Sequence, residues 1–289
     1  MKIVKATYGP KDVLEKVIPY FNDERIAILV SNHIFGDTNP GSLKKLTIEF
    51  ENGESAESYE NNYLIYPKMN KEKLGIFYTN NNNRLIDNTI NCSLQTIQKS
   101  SYGIADIVTC VWEKIPNNPF IEILSQTKIS NHLNQVLQIL QTLYFSRKEN
   151  KNYKYVSFLE HDCLYPNGYF DYDDFSGNCI CNMNYIGLSK DGWQDKTRND
   201  KPLSQITMEF NYAIKHFESI LPNALIINDG LSEPPHDNNN IKEWNCINPS
   251  VHVNHGYHFT SHYKTYSEQK KQRNDHWKNY ELYSNLFVN

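Results

Sequence analysis

No run in this chain approaches the roughly 18 consecutive apolar residues that a membrane span requires, and none of its segments reads as a membrane helix. The amino terminus, Met1-Lys2-Ile3-Val4-Lys5, goes straight into alternation without a signal-peptide core. Both absences lead to the expectation of a soluble, cytoplasmic protein. Charge of one sign is also lacking. The 29 Lys and Arg nearly balance the 33 Asp and Glu, for a net charge of −4 and a pI near 6.2. No global basic field invites duplex nucleic acid, although the balance leaves room for a local basic groove. Paired cysteines are scarce: of six, only Cys179-Ile180-Cys181 lie close together, and no second pair stands at zinc-ligand spacing. The cysteines read instead as small buried hydrophobes of a reducing compartment. No His-Glu-x-x-His pattern occurs, which counts against a metallohydrolase.

What the chain does have is aromatic mass. Twenty Tyr and 13 Phe within 289 residues supply enough apolar surface for a folded core, although mean hydropathy is −0.64. The length allows one large or two smaller domains. Runs such as Asn80–Asn83 and Asn238–Asn240 read as compositional bias.

Residues 1–70 are β-rich. Lys2–Tyr8, Arg25–Ser31, Leu43–Phe50 and Tyr63–Tyr66 are short β-branched or aromatic runs separated by Gly9-Pro10, Gly36-Asp37, Pro40-Gly41 and Asn52-Gly53. They predict a small sandwich that serves as an accessory or binding domain, with a purely structural cap the equal alternative. Ala6-Thr7-Tyr8-Gly9, Val30-Ser31-Asn32 and Phe35–Gly41 resemble a small β-module found fused to various other domains.

From residue 71 to 289 strands and helices alternate. Leu74–Thr79 predicts a strand, Asn88–Ser100 a helix, and Asp106–Trp112 a second buried strand. A long helix capped by Ser130 or Asn131 then carries the stripe Leu133, Val136, Leu137, Leu140, Leu143 and Tyr144. Residues 182–186 predict a further strand, and about 204 to 221 a helix ended by Pro222, with Ile206, Phe210, Ala213, Ile214 and Phe217 inward. The fold class expected is α/β, a mostly parallel sheet flanked by helices and preceded by the small β-rich domain.

The chemistry concentrates at residues 153–166. The apolar run Tyr155, Val156, Phe158, Leu159 ends in Glu160, His161 and Asp162, and Pro166 stops its continuation. A buried strand delivering carboxylates to its carboxyl end places them where open α/β sheets bind ligands. Glu160 and Asp162, two apart, fall on the same side of an ideal strand and can converge on one divalent cation, which keeps positions open for water and phosphates. His252 or His255, in the remote segment Pro249–His262, can add a nitrogen ligand. The acidic stretch Asp171–Asp174 reads as a wet loop.

Phe158–Pro166, Asn182-Met183-Asn184, Leu203-Ser204 and Pro249–Gly256 with Phe259-Thr260 resemble bacterial and viral glycosyltransferases of the GT-A fold, allied to the large inverting family 2. The resemblance covers roughly residues 71–270. It implies that Glu160-His161-Asp162 occupies the Asp-x-Asp place that binds Mn2+ or Mg2+ and the donor diphosphate, with His255 completing the metal site. It also implies a nucleotide-sugar donor bound by the loop Thr79–Asn83, including Asn80 and Asn81, and near Asp106. Asn182, Asn184 and Trp193 fall on the acceptor side, facing a hydroxyl-bearing glycan, protein or modified viral DNA base. Glu in place of the first Asp departs from the motif. Glu209, on the helix after the acceptor-side strand, and Asp191 are the candidates for catalytic base, with a solvated helix-surface Glu the alternative for the former. The competing reading is a non-catalytic carbohydrate-binding or assembly protein, whose stacking surfaces would be the Tyr-rich loops 169–175 and 257–266.

Overall fold

The computed structural model describes residues 2–22, 25–67, 69–79, 87–127, 132–173, 175–189, 192–196, 201–226, 241–253, 263–265, 273–274 and 277–279. The chain divides into two compact units, one formed by 1–69 with 116–122 and the other by 70–115 with 123–289.

In the first unit two antiparallel sheets share a core. One has the order Lys11–Asp12, Ile3–Tyr8, Lys45–Phe50, Ser55–Tyr59, and the other Phe21–Asn22, Arg25–Leu29, Tyr63–Tyr66. Alternation decides the inward face: Leu46, Ile48 and Phe50 are buried, with Ala6, Tyr8, Ile26, Ile28 and Leu64 around them. The strand Ser55–Tyr59 has no counterpart among the runs read from sequence. It alternates without apolar bulk, as suits an edge strand. Lys44 is buried there with its ammonium 2.9 Å from Asp37 and 3.2 Å from Glu60, so its charge is paired.

A seven-stranded sheet has the order Ile121–Leu124, Ala105–Val111, Lys73–Tyr78, Tyr155–Glu160, Ile206–Glu209, Cys179–Asn182, Lys242–Trp244, and its strands other than Ile121–Leu124 lie wholly in the second unit. The strands 73–78, 105–111 and 155–160 pair in parallel, as do 179–182 and 242–244; 206–209 runs against both its neighbours. The result is the mixed α/β, mostly parallel sheet flanked by helices that the alternation predicts. The central strands are buried on both faces, and Tyr155–Leu159 are all buried. The helices Asp87–Ser101 and His132–Glu149 make the crossovers.

Four local readings need correction. Residues 182–186 are not one strand: Cys179–Asn182 belongs to the large sheet, Tyr185–Ser189 to a second sheet, and the chain breaks between them. The helix expected from 204 begins at Phe210, because Ile206–Glu209 is needed as a strand between two others; Pro222 lies inside the helix Phe210–Ile226, whose last turn still follows it. On His132–Glu149 the buried face is rotated. Val136, Ile139, Leu140 and Leu143 are inside with Asn134, Gln138, Thr142 and Ser146, and Tyr144 is 41% exposed. Gln138 explains the rotation, since its amide donates to the carbonyls of Thr79 at 2.8 Å and Cys110 at 3.1 Å, at the ends of two parallel strands. Finally, Tyr169, Phe170 and Tyr172 are buried rather than displayed for stacking. Lys73 holds their segment down, donating to the carbonyls of Phe170 and Tyr172. The segment 257–262 lies outside the described residues.

The second sheet has the order Cys163–Leu164, Ser250–Val253, Tyr185–Ser189, Gly192–Lys196, Tyr263–Thr265. Leu164, Ile186, Leu188, Trp193, Val251, Val253 and Trp277 form its core. Among the described residues no helix is long and apolar enough to cross a membrane.

Candidate metal centre

The strand 73–78 leads outward to 105–111 and 121–124, and the chain then returns to lay 155–160 on its other side. Connections leave these two neighbours in opposite directions, so their carboxyl ends flank the crevice of a topological switch point. Tyr78 and Glu160 are register partners there, and the Tyr78 hydroxyl donates to Glu160 Oε1 at 2.8 Å.

Beyond Glu160 the chain turns at His161 and Asp162 and begins the second sheet at Cys163. Several elements pin this turn. The Glu160 N–H donates to the Tyr165 hydroxyl at 2.9 Å, Ser93 Oγ on the 87–101 helix donates to the Cys163 carbonyl at 2.7 Å, and the Val253 N–H donates to the Asp162 carbonyl at 2.7 Å. A turn bonded from three sides holds its side chains in place. One ligand atom each from Glu160, Asp162 and Cys163 lies within 4.8 Å of the others, the carboxylates half-buried and the thiol buried.

Burial first, then the negative charges of Asp162 and Glu160, push the Cys163 thiol well above the usual thiol range. The group therefore keeps its proton and acts as a donor, its Sγ 3.8 Å from Asp162 Oδ1. With the thiol protonated, the cluster offers a cation two hard carboxylates. That set fits Mg2+ or Mn2+, which take one or two protein carboxylates and fill the remaining positions with water and phosphate oxygens.

His252 is the register partner of Cys163 on the neighbouring strand. Its Nε2 sits 3.0 Å from Gln205 Nε2. Gln205 Oε1 accepts from Asn182 Nδ2 at 3.0 Å and from Ser250 Oγ at 2.6 Å, so the other end of that amide must donate. The network thus assigns His252 as neutral with Nε2 accepting. Burial lowers its pKa to about 4, opposed only by the charge of Asp162, and its ring stacks on Tyr185 at 5.0 Å. The structure brings His252 beside the cluster but commits its Nε2 to Gln205.

The other residues singled out from sequence divide sharply. His161 lies in the turn, half-buried and outside the ligand group. Thr79 is buried at the crevice end of its strand. Asp106 is the partner of Leu74, four residues before Tyr78 and so about 13 Å from that end at strand rise. Its carboxylate accepts from the Lys71 N–H at 3.0 Å and the Tyr153 hydroxyl at 2.9 Å. Glu209 is the partner of Tyr155, about 17 Å from Glu160 by the same rise. It ends a strand instead of riding on a helix, and it caps the helix 210–226 by accepting from the N–H groups of Asn211 at 3.1 Å and Tyr212 at 2.6 Å. Asn182 and Asn184 are knitted into the chain break: Asn182 Oδ1 accepts from the Cys246 and Asn184 N–H groups, and Asn184 Nδ2 donates to the Cys246 carbonyl. Trp193 is fully buried in the second sheet's core. Asn80, Asn81, Asp191 and His255 lie outside the described residues.

Sequence reasoning missed Tyr78, Gln205 and Cys163. Cys163 carried a signal in its place next to Asp162, which its reading as a buried hydrophobe obscured. Comparison with protein-family models and with curated proteins finds no match for this chain.

Proposed function

We propose that this chain is a metal-dependent glycosyltransferase that moves a sugar from a nucleotide-diphosphate donor to a hydroxyl acceptor. The observation that carries the reading is the convergence of Glu160 and Asp162 at the carboxyl end of the 155–160 strand, on the switch point of a mostly parallel sheet. Mn2+ or Mg2+ held there neutralises charge on a departing diphosphate. Glu160 and Asp162 hold the ion, and the Tyr78 hydroxyl restrains Glu160 by binding one of its oxygens. Thr79, buried at the crevice end of its strand, lies where a donor nucleoside would enter. The acceptor is a glycan, a protein or a modified DNA base. Six free cysteines suit a reducing cytoplasm as the place of reaction.

The test is turnover of UDP- and GDP-sugars by the purified chain, with manganese and with chelator. Manganese-dependent release of the nucleotide, lost in Asp162→Ala, supports the reading; equal turnover in Asp162→Ala and wild type would sink it. A thermal-shift response to free glycans, with none to nucleotide sugars plus metal, would favour the carbohydrate-binding alternative.

A further inference from the structure

Cys163 changes what the carboxylate pair can bind. Its Sγ stands 3.8 Å from Asp162 Oδ1. In a tetrahedral zinc site, sulfur at about 2.3 Å and oxygen at about 2.0 Å from the ion stand about 3.5 Å apart. The observed spacing is within a few tenths of that edge, and Glu160 is close enough to take a third corner, since all three ligand atoms lie within 4.8 Å of one another. The backbone of the turn is already fixed by bonds from Ser93, Tyr165 and Val253, so little ordering is left for binding to supply.

We infer that Glu160, Asp162 and Cys163 form a three-ligand site for a thiophilic divalent cation such as Zn2+ or Cd2+, with the fourth position open. This reaches beyond sugar transfer and stands whether or not the chain transfers sugars. On binding, the S–H bond of Cys163 breaks, a metal–sulfur bond forms, and one proton passes to solvent. Thiolate favours soft ions and carboxylate hard ones, so one turn accepts two classes of metal, and the soft ion takes the carboxylates the hard one needs.

The experiment is titration of the purified full chain with Cd2+ and with Co2+, followed by thiolate-to-metal charge-transfer absorption. The expected result is a saturable band of one ion per chain, lost in Cys163→Ser and retained in Cys92→Ser. Should Cys163→Ser fail to fold, Asp162→Asn keeps the thiol, and its cation affinity should fall at least about tenfold, the loss that removing a mere hydrogen-bond partner of a ligand can cause. A band unchanged in Cys163→Ser, an unaltered affinity in Asp162→Asn, or no band in the wild type overturns the inference. Absence of the band together with manganese-dependent donor turnover would overturn this site and leave the transferase reading standing; a band without turnover would do the reverse.

Discussion

Gly75→Ala tests the packing between the central strands and the buried ring of Phe170. Gly75 lies in the strand Lys73–Tyr78, between Ile107 and Ser157 in register. A Cβ built there would stand 2.5 Å from Ile107 Cδ1, 2.9 Å from Leu159 Cδ1 and 3.3 Å from Phe170 Cζ. Optimal carbon contacts are about 3.5–4.0 Å, so the Ile107 methyl must retreat by about 1 Å. It has nowhere obvious to go: Ile107 is 3% exposed, and Leu159 and Phe170 are fully enclosed. Gly75 has no left-handed backbone to protect, so Ala gains about 0.4–1 kcal/mol through the unfolded chain. Overpacking costs about 1–3 kcal/mol, and the balance is a destabilisation of about 1–2 kcal/mol. Ile107→Val removes the methyl in the way and alone costs about 0.5–1.5 kcal/mol. In the double variant the new Cβ fills the vacated space, so its loss should fall short of the sum by about 1 kcal/mol. Urea unfolding of the four proteins, with unchanged m-values, reads this directly. Strict additivity, or a stabilised Gly75→Ala, would refute the argument that Ile107 and Leu159 close over a missing side chain.

Glu209→Ala should cost about 0.5–2 kcal/mol, the range for loss of a helix cap, because the Asn211 and Tyr212 N–H groups lose their acceptor. Donor turnover per folded molecule should not change, and a collapse of turnover at intact stability would support Glu209 as a base. His252 predicts a pH dependence with a definite sign. Its folded pKa of about 4 lies below the ordinary 6.5, so the unfolded chain binds a proton that the folded one refuses. The stability it contributes is full above about pH 6.5 and is lost as pH falls towards 4, with about 3 kcal/mol as an upper bound. Denaturation midpoints between pH 4 and 7 should flatten in His252→Gln, and parallel profiles would exclude the histidine as the cause.

How much of this was legible in the sequence follows from the range of the interactions involved. The parallel strands 73–78, 105–111 and 155–160 were readable because both faces of each are buried, which writes the burial into consecutive residues. The carboxylates at the end of 155–160 were readable for the same reason, as a polar stop after an apolar run. The rotation of the 132–149 helix was not, because it answers the carbonyls of Thr79 and Cys110, 59 and 28 residues away from Gln138. Ile206–Glu209 was hidden too. Its residues suit a helix as well as a strand, and only the gap between 155–160 and 179–182 decides between them.

The same long-range bonds sort the acids that spacing alone left equivalent. Asp106 and Glu209 lie towards the end of the sheet opposite the crevice, and backbone N–H groups hold them: Lys71 for the one, Asn211 and Tyr212 for the other. A carboxylate satisfying backbone donors cannot leave without orphaning them, which ties both acids to folding. Glu160 and Asp162 meet side-chain donors, the Tyr78 hydroxyl and the Cys163 thiol. A hydroxyl can rotate, so the contact between Tyr78 and Glu160 can be exchanged without unmaking the strand pairing. Glu160 and Asp162 stand at the switch point, where the topology leaves a crevice for a ligand, and Asp106 and Glu209 do not.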